Sequence, residues 1–96
     1  MPTYVVLYKL TDQGMKTVKS TVQRARESQM ESEKHGFRIV DVYWTQGRYD
    51  AVAIMEAADD KTMMAGLLNI AGAGNVRSET LRAFSCEEME QVIGKM

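Results

Sequence analysis

The side chains best suited to chemistry are three carboxylates, Asp50, Glu56 and Glu79, and two phenols, Tyr43 and Tyr49, all on segments with strand character. Asp50 follows a turn that contains Gly47, where a carboxylate can bind a polar ligand or accept a proton as a base. The same carboxylate can instead accept turn amides or pair with Arg48. Glu56 shares strand parity with Asp50, and Glu79 belongs to another strand that can approach the same region. Paired carboxylates divide acid and base roles or hold a metal through oxygen. Arg77 and Arg82 offer a plainer role for these acids, a salt-linked sheet margin, and no metal site is assigned. Tyr43, Trp44, Tyr49 and Phe84 can line an apolar pocket, with the tyrosine hydroxyls orienting an oxygenated small molecule, or can serve core and subunit contacts.

His35 belongs to the end of a charged helix, where a contact with the helix terminus is its ordinary role. Cys86 is the single cysteine, so no intrachain disulfide and no multi-cysteine metal site exists. Gly72-x-Gly74-Asn75 looks like an anion-binding loop, but it joins a helix to a following strand. A dinucleotide fold places such a loop between a strand and a following helix, so Gly74 and Asn75 are assigned to tight-turn construction. Nothing in the chain requires a nucleotide, flavin, haem or metal cofactor.

The elements that must position these residues follow from periodicity. Thr3 to Lys9 is a strand with apolar residues on both parities. Thr11 or Asp12 caps a helix of about six turns that runs to His35, with Met15, Val18, Val22 and Ala25 forming its sheet-facing stripe. Gly36 ends it. Phe37 to Thr45 and Tyr49 to Ala57 form a hairpin around Gln46-Gly47-Arg48. Asp59 caps a second helix whose inward stripe is Met64, Leu67, Leu68 and Ala71, widened by Met63 and Ile70. Asn75 to Phe84 returns as the most charged strand, suited to an exposed edge. Ser85 and Glu88 have the spacing of a capping box for a last short helix, and Met89, Val92 and Ile93 can cover a core margin or touch a neighbour.

The predicted architecture is α+β: a ferredoxin-like β-α-β-β-α-β two-layer sandwich, with a short C-terminal helix, in one domain spanning residues 1–96. Two helices cover one face of such a sheet, yet the strands carry apolar residues on both. The second face is therefore expected against another subunit, a homodimer by two-fold pairing or a higher homo-oligomer. Twelve Lys/Arg against thirteen Asp/Glu give a net charge of -1, which argues against nucleic acid as a partner. The longest apolar run is too short to cross a membrane and no secretory leader is evident, so the cytoplasm is the expected location.

Gly47-Arg48-Tyr49-Asp50, then Glu56-Ala57-x-Asp59-Asp60, then Gly74 through Phe84 (Gly-Asn-Val-Arg-Ser-Glu-Thr-Leu-Arg-Ala-Phe) resemble the GYD-domain family. The resemblance runs from Tyr4 to Glu88, and its marking positions include Gly47, Tyr49, Asp50, Glu56, Asp59, Gly74, Val76, Thr80, Ala83 and Phe84. The chain has Ala58 where proline is common and Ser78 where threonine is common. Membership implies a ferredoxin-like fold paired through sheet faces as a dimeric α+β barrel. Similar-looking barrels include haem-degrading and quinone-forming oxygenases, a likeness of fold only. Three functions follow as expectations. The first is a homo-oligomeric accessory protein, small-ligand binding or stress-associated. The second is an oxygenase-like or isomerase-like enzyme, with Asp50 moving a proton and Tyr43 or Tyr49 placing the substrate. The third is a structural or protein-interaction module.

Overall fold

The computed structural model describes residues 1–96. Strands β1 (Thr3–Leu10), β2 (Phe37–Trp44), β3 (Ala51–Ala57) and β4 (Val76–Ala83) form one antiparallel sheet in the order β2-β3-β1-β4. Helices α1 (Asp12–Lys16), α2 (Thr21–Lys34), α3 (Asp60–Gly72) and α4 (Cys86–Gly94) complete the chain. This is the predicted ferredoxin-like arrangement. β1 is central because β3 and β4 both pair with it, which leaves β2 and the charged β4 as the two edges.

Three predicted caps are present. The Thr11 hydroxyl oxygen accepts from the Gly14 amide at 3.1 Å, and Asp59 Oδ1 accepts from the Thr62 amide at 2.8 Å. At α4 the capping box closes in both directions: the Glu88 amide donates to Ser85 Oγ at 3.1 Å and the Ser85 amide to Glu88 Oε1 at 3.0 Å. Gly47 and Gly74 both adopt positive φ, 109° and 85°, a backbone region that a side chain disfavours.

The continuous first helix does not form. The chain is helical over Asp12–Lys16, tightens into a 3-10 turn over Val18–Ser20, and resumes at Thr21. β-Branched and hydroxyl residues crowd this stretch, Thr17-Val18 and Ser20-Thr21-Val22, and they weaken helix propagation. Arg24 stabilises the break by donating through Nη1 to the Thr17 carbonyl at 2.8 Å and to its hydroxyl at 2.9 Å. The break also turns the expected stripe outward. Met15, Val18 and Val22 are all exposed, and α2 instead directs Ala25, Ser28 and buried Ser32 inward. On α3, Met63 and Gly66 are buried whereas Met64 and Leu68 are exposed, so the inward face is rotated from the predicted one.

Only 12 of 96 residues are buried, and the strand members among them all lie on the helix-covered face: Tyr4, Val6, Tyr8, Phe37, Ile39, Ala53, Met55 and Ala57. A β-bulge at Val40 decides the parity of β2. Ile39 faces the helices, and beyond the extra residue the pairings Val42 with Ala53 and Trp44 with Ala51 place Val42 and Trp44 on that face too. Tyr43 is thereby sent to the opposite face, although it shares sequence parity with Phe37 and Ile39.

Two core phenols make stability sensitive to alkali. The Tyr4 hydroxyl donates to Asp60 Oδ1 at 2.6 Å, which with burial raises its pKa; burial alone raises that of Tyr8. A pKa raised by folding stabilises the native state fully below the ordinary tyrosine value of about 10, and this stabilisation is lost as pH climbs through the raised value. Chemical denaturation followed by circular dichroism is therefore expected to show stability falling above about pH 10, with a shallower fall in Tyr8→Phe. An identical slope in the two proteins would rule out this origin.

Candidate functional site

The structure separates the sequence-predicted residues onto two faces of the sheet. On the face without helices, the strand registers bring together three neighbouring rows: Arg38, Glu56, Thr3 and Ala83; Asp41, Ile54, Val5 and Leu81; and Tyr43, Val52, Leu7 and Glu79. The centre is aliphatic, formed by Val5, Leu7, Val52, Ile54 and Leu81 from β1, β3 and β4. Charged side chains surround it. None of these residues is buried, Leu81 is 48% exposed, and Tyr43 is 60% exposed.

Tyr49 and Glu79 meet on this face. Tyr49 precedes β3, and its hydroxyl reaches past β1 to donate to Glu79 Oε2 on β4 at 2.8 Å. That hydrogen bond raises the tyrosine's pKa, and the Arg48 guanidinium lies 5.7 Å from the ring centroid. Glu56 instead pairs with Arg38, Oε1 to Nη1 at 3.7 Å, and is opposite Thr3, whereas Glu79 is opposite Leu7. Four residues of extended strand separate the two levels, roughly 13 Å.

Asp50 joins neither glutamate. Its Oδ2 accepts from the Leu10 amide at 2.8 Å, its own amide donates to the Tyr8 carbonyl at 2.8 Å, and its carbonyl accepts from the Thr45 amide at 2.9 Å. It therefore locks the hairpin end onto β1, and its carboxylate bonds a distant strand amide in place of the turn amides or Arg48. Gly74 and Asn75 hold the β4 entry against α1: the Thr11 amide donates to the Asn75 carbonyl at 3.0 Å and Gln13 Nε2 to Asn75 Oδ1 at 3.1 Å. Phe84 is 53% exposed and carries the Arg82 guanidinium 4.5 Å above its ring.

The helix-covered face holds a feature that motif reasoning missed. Helices α2 and α3 make scarcely any contact with each other, and a cleft of about 550 Å³ opens between them down to the sheet. Tyr8, Ile39, Val42, Ala53 and Met55 are among its sheet residues, and Asp50 contributes at its margin. The alternation of Tyr4, Val6 and Tyr8 marks Tyr8 as a core side chain, but only the spacing of the helices shows that its hydroxyl meets open space. Cys86 is exposed at the start of α4. His35 is exposed, with Nε2 4.0 Å from Glu31 Oε2.

Sheet order, helix placement and the bare aliphatic face define a ferredoxin-like α+β module with one sheet surface left open. Residues 4–93 match the GYD domain, and the chain belongs to the GYD domain family. It is 37% identical over 90 residues, covering 93% of this chain and 95% of the relative, to a Thermus thermophilus protein described as a glutamine synthetase and cystathionine beta-lyase binding protein. No solved structure matches the chain. No helix is long and apolar enough to cross a membrane.

Proposed function

We propose that this chain is a homodimeric accessory module that binds other proteins, in the cytoplasm, and that a metabolic enzyme is its partner. The bare sheet face carries this reading. Five aliphatic side chains from adjacent strands form a continuous apolar centre inside a charged rim, the anatomy of a protein interface. A two-fold axis through that face covers both copies with one patch. The description of the Thermus thermophilus relative supports protein partners and suggests glutamine synthetase and cystathionine beta-lyase as the enzymes to try first.

A second exposed surface is available to such a partner. Met89, Val92 and Ile93 on α4 are 46%, 40% and 57% exposed, and the helix makes at most marginal contact with the body. Arg82 and Glu88, 3.8 Å apart, link its first turn to β4. An exposed, capped amphipathic helix is a common recognition element.

Sedimentation velocity tests both parts of the proposal. The chain alone should sediment as a dimer at micromolar concentration, and adding either enzyme from the same organism should produce a faster co-sedimenting species. A monomer throughout the micromolar range, with no complex with either enzyme, would reject the reading.

A further inference from the structure

The cleft between α2 and α3 lies on the opposite side of the sheet from the proposed dimer face and is independent of it. Its volume of about 550 Å³ falls within the range of about 300–1,000 Å³ usual for small-molecule sites. Specific contacts tie the surrounding elements together at both ends of β2. At one end Trp44 Nε1 donates to Thr21 Oγ1 at 3.0 Å, tying β2 to the start of α2. At the other, Phe37 packs so tightly on Gly66 of α3 that an added Cβ would lie 2.6 Å from its ring. Ile39, Val42, Met55, Ile70 and Val76 make the interior mainly apolar.

One polar group inside is conspicuous. Tyr8 is only 8% exposed, and its hydroxyl makes no hydrogen bond within the chain. It is not sealed away from solvent, and Tyr8 is one of the residues that line the cleft. Burial keeps this phenol protonated through the neutral range, so it can donate a hydrogen bond but offers no positive charge. The charged groups at the margin do not favour an anion either. Glu27, Glu31 and Asp50 outnumber Arg24, whose Nη1 is already bonded to the Thr17 carbonyl and hydroxyl, and His35 Nε2 lies 4.0 Å from Glu31 Oε2.

We propose that this cleft binds one small, uncharged, mainly apolar molecule whose carbonyl or hydroxyl oxygen accepts a hydrogen bond from Tyr8. The apolar interior supplies the driving force through desolvation, and the single hydrogen bond supplies orientation. An apolar molecule without an oxygen would leave the buried hydroxyl unpaired, and an anion would meet a rim on which three carboxylates outnumber the Arg24 guanidinium.

Three probes of one skeleton separate these effects: 2-acetonaphthone, naphthalene and 2-naphthoate. Trp44 is the only tryptophan, so its indole N–H gives a single two-dimensional NMR resonance from the cleft lining. Acetonaphthone should shift this resonance saturably, together with the amides of Ala53 and Val76. Naphthalene should bind several-fold more weakly and naphthoate should produce no saturable shift. Tyr8→Phe should weaken acetonaphthone about five- to tenfold while changing naphthalene less than about twofold, the range set by one neutral hydrogen bond. Ser28→Phe, from the α2 wall, should fill the cleft and abolish the acetonaphthone and naphthalene responses without changing the sedimenting species. Absence of a saturable acetonaphthone shift, equal affinity in Tyr8→Phe, or naphthoate binding as tightly as the ketone would each overturn the proposal.

Discussion

Replacing Ile54 by lysine is expected to convert the proposed dimer into a folded monomer. Ile54 is opposite Val5 on β1 and Asp41 on β2, at the centre of the open sheet face. In a single copy it is only half-buried, so a lysine there can lay its stem along Val5 and direct its ammonium to water. Between two sheet faces that escape is closed, and desolvating the ammonium, even beside Asp41, costs about 3 kcal/mol or more. A two-fold interface carries the substitution twice. The dimer dissociation constant should therefore weaken by on the order of ten thousandfold. Sedimentation velocity and far-ultraviolet circular dichroism together provide the check: loss of the dimer with an unchanged spectrum is the expected pair of results. Met64→Lys is the control, because Met64 is 55% exposed on the outer surface of α3 and should leave the dimer intact. Dimers of equal strength in Ile54→Lys would move the interface elsewhere, with the α4 surface the next place to look.

Gly14→Ala should produce a large loss of monomer stability. Helix propensity alone predicts the reverse, since alanine is favoured over glycine by about 1 kcal/mol in a helix. Packing opposes it. A Cβ on Gly14 would lie 2.0 Å from the Asn75 carbonyl oxygen and 2.9 Å from its carbon, both backbone atoms. Asn75 cannot withdraw freely, because that oxygen accepts from the Thr11 amide at 3.0 Å and its side chain accepts from Gln13 at 3.1 Å. Relief therefore requires α1 to lift from the α3–β4 turn and release these contacts. The net loss should be about 2–4 kcal/mol, combining overpacking with lost hydrogen bonds. Denaturant unfolding measures it directly; a variant as stable as the parent would show that propensity outweighs the contact. Asn75 and Val76 also line the cleft, so the same displacement should disturb its shape.

Carboxylates contribute a smaller effect with the opposite pH sign. Asp59 and Glu88 have lowered pKa values, each chiefly because it accepts a backbone amide, from Thr62 and Ser85 respectively. Their stabilisation is present above the ordinary carboxylate range and disappears as pH falls through the lowered values. Asp59 is exposed and Glu88 only partly covered, so this acid-side change should be shallow beside the alkaline one that Tyr8 produces.

The linear order of residues determined the strands, their antiparallel ferredoxin-like order, the caps at Thr11, Asp59 and Ser85, and membership of the GYD domain family. These depend on local patterns: alternation along a strand, a hydroxyl or carboxylate before a helix, and a motif kept at fixed spacing. The bare aliphatic face was legible too, because apolar residues on both strand parities exceeded what two helices can cover. Tertiary structure alone decided the rest. The bulge at Val40 exchanged the faces of Tyr43 and Trp44, since one inserted residue reverses strand parity without changing composition. The break after α1 turned Met15, Val18 and Val22 outward, because close approach of Gly14 to Asn75 and the Arg24 bonds to Thr17 set the helix path. Long-range registers assigned the predicted acids, bringing Glu79 to Tyr49 while leaving Glu56 with Arg38 and Asp50 with the β1 backbone. The separation of α2 from α3, and with it the opening in front of Tyr8, belongs to no local pattern, because it depends on how two distant helices rest on one sheet.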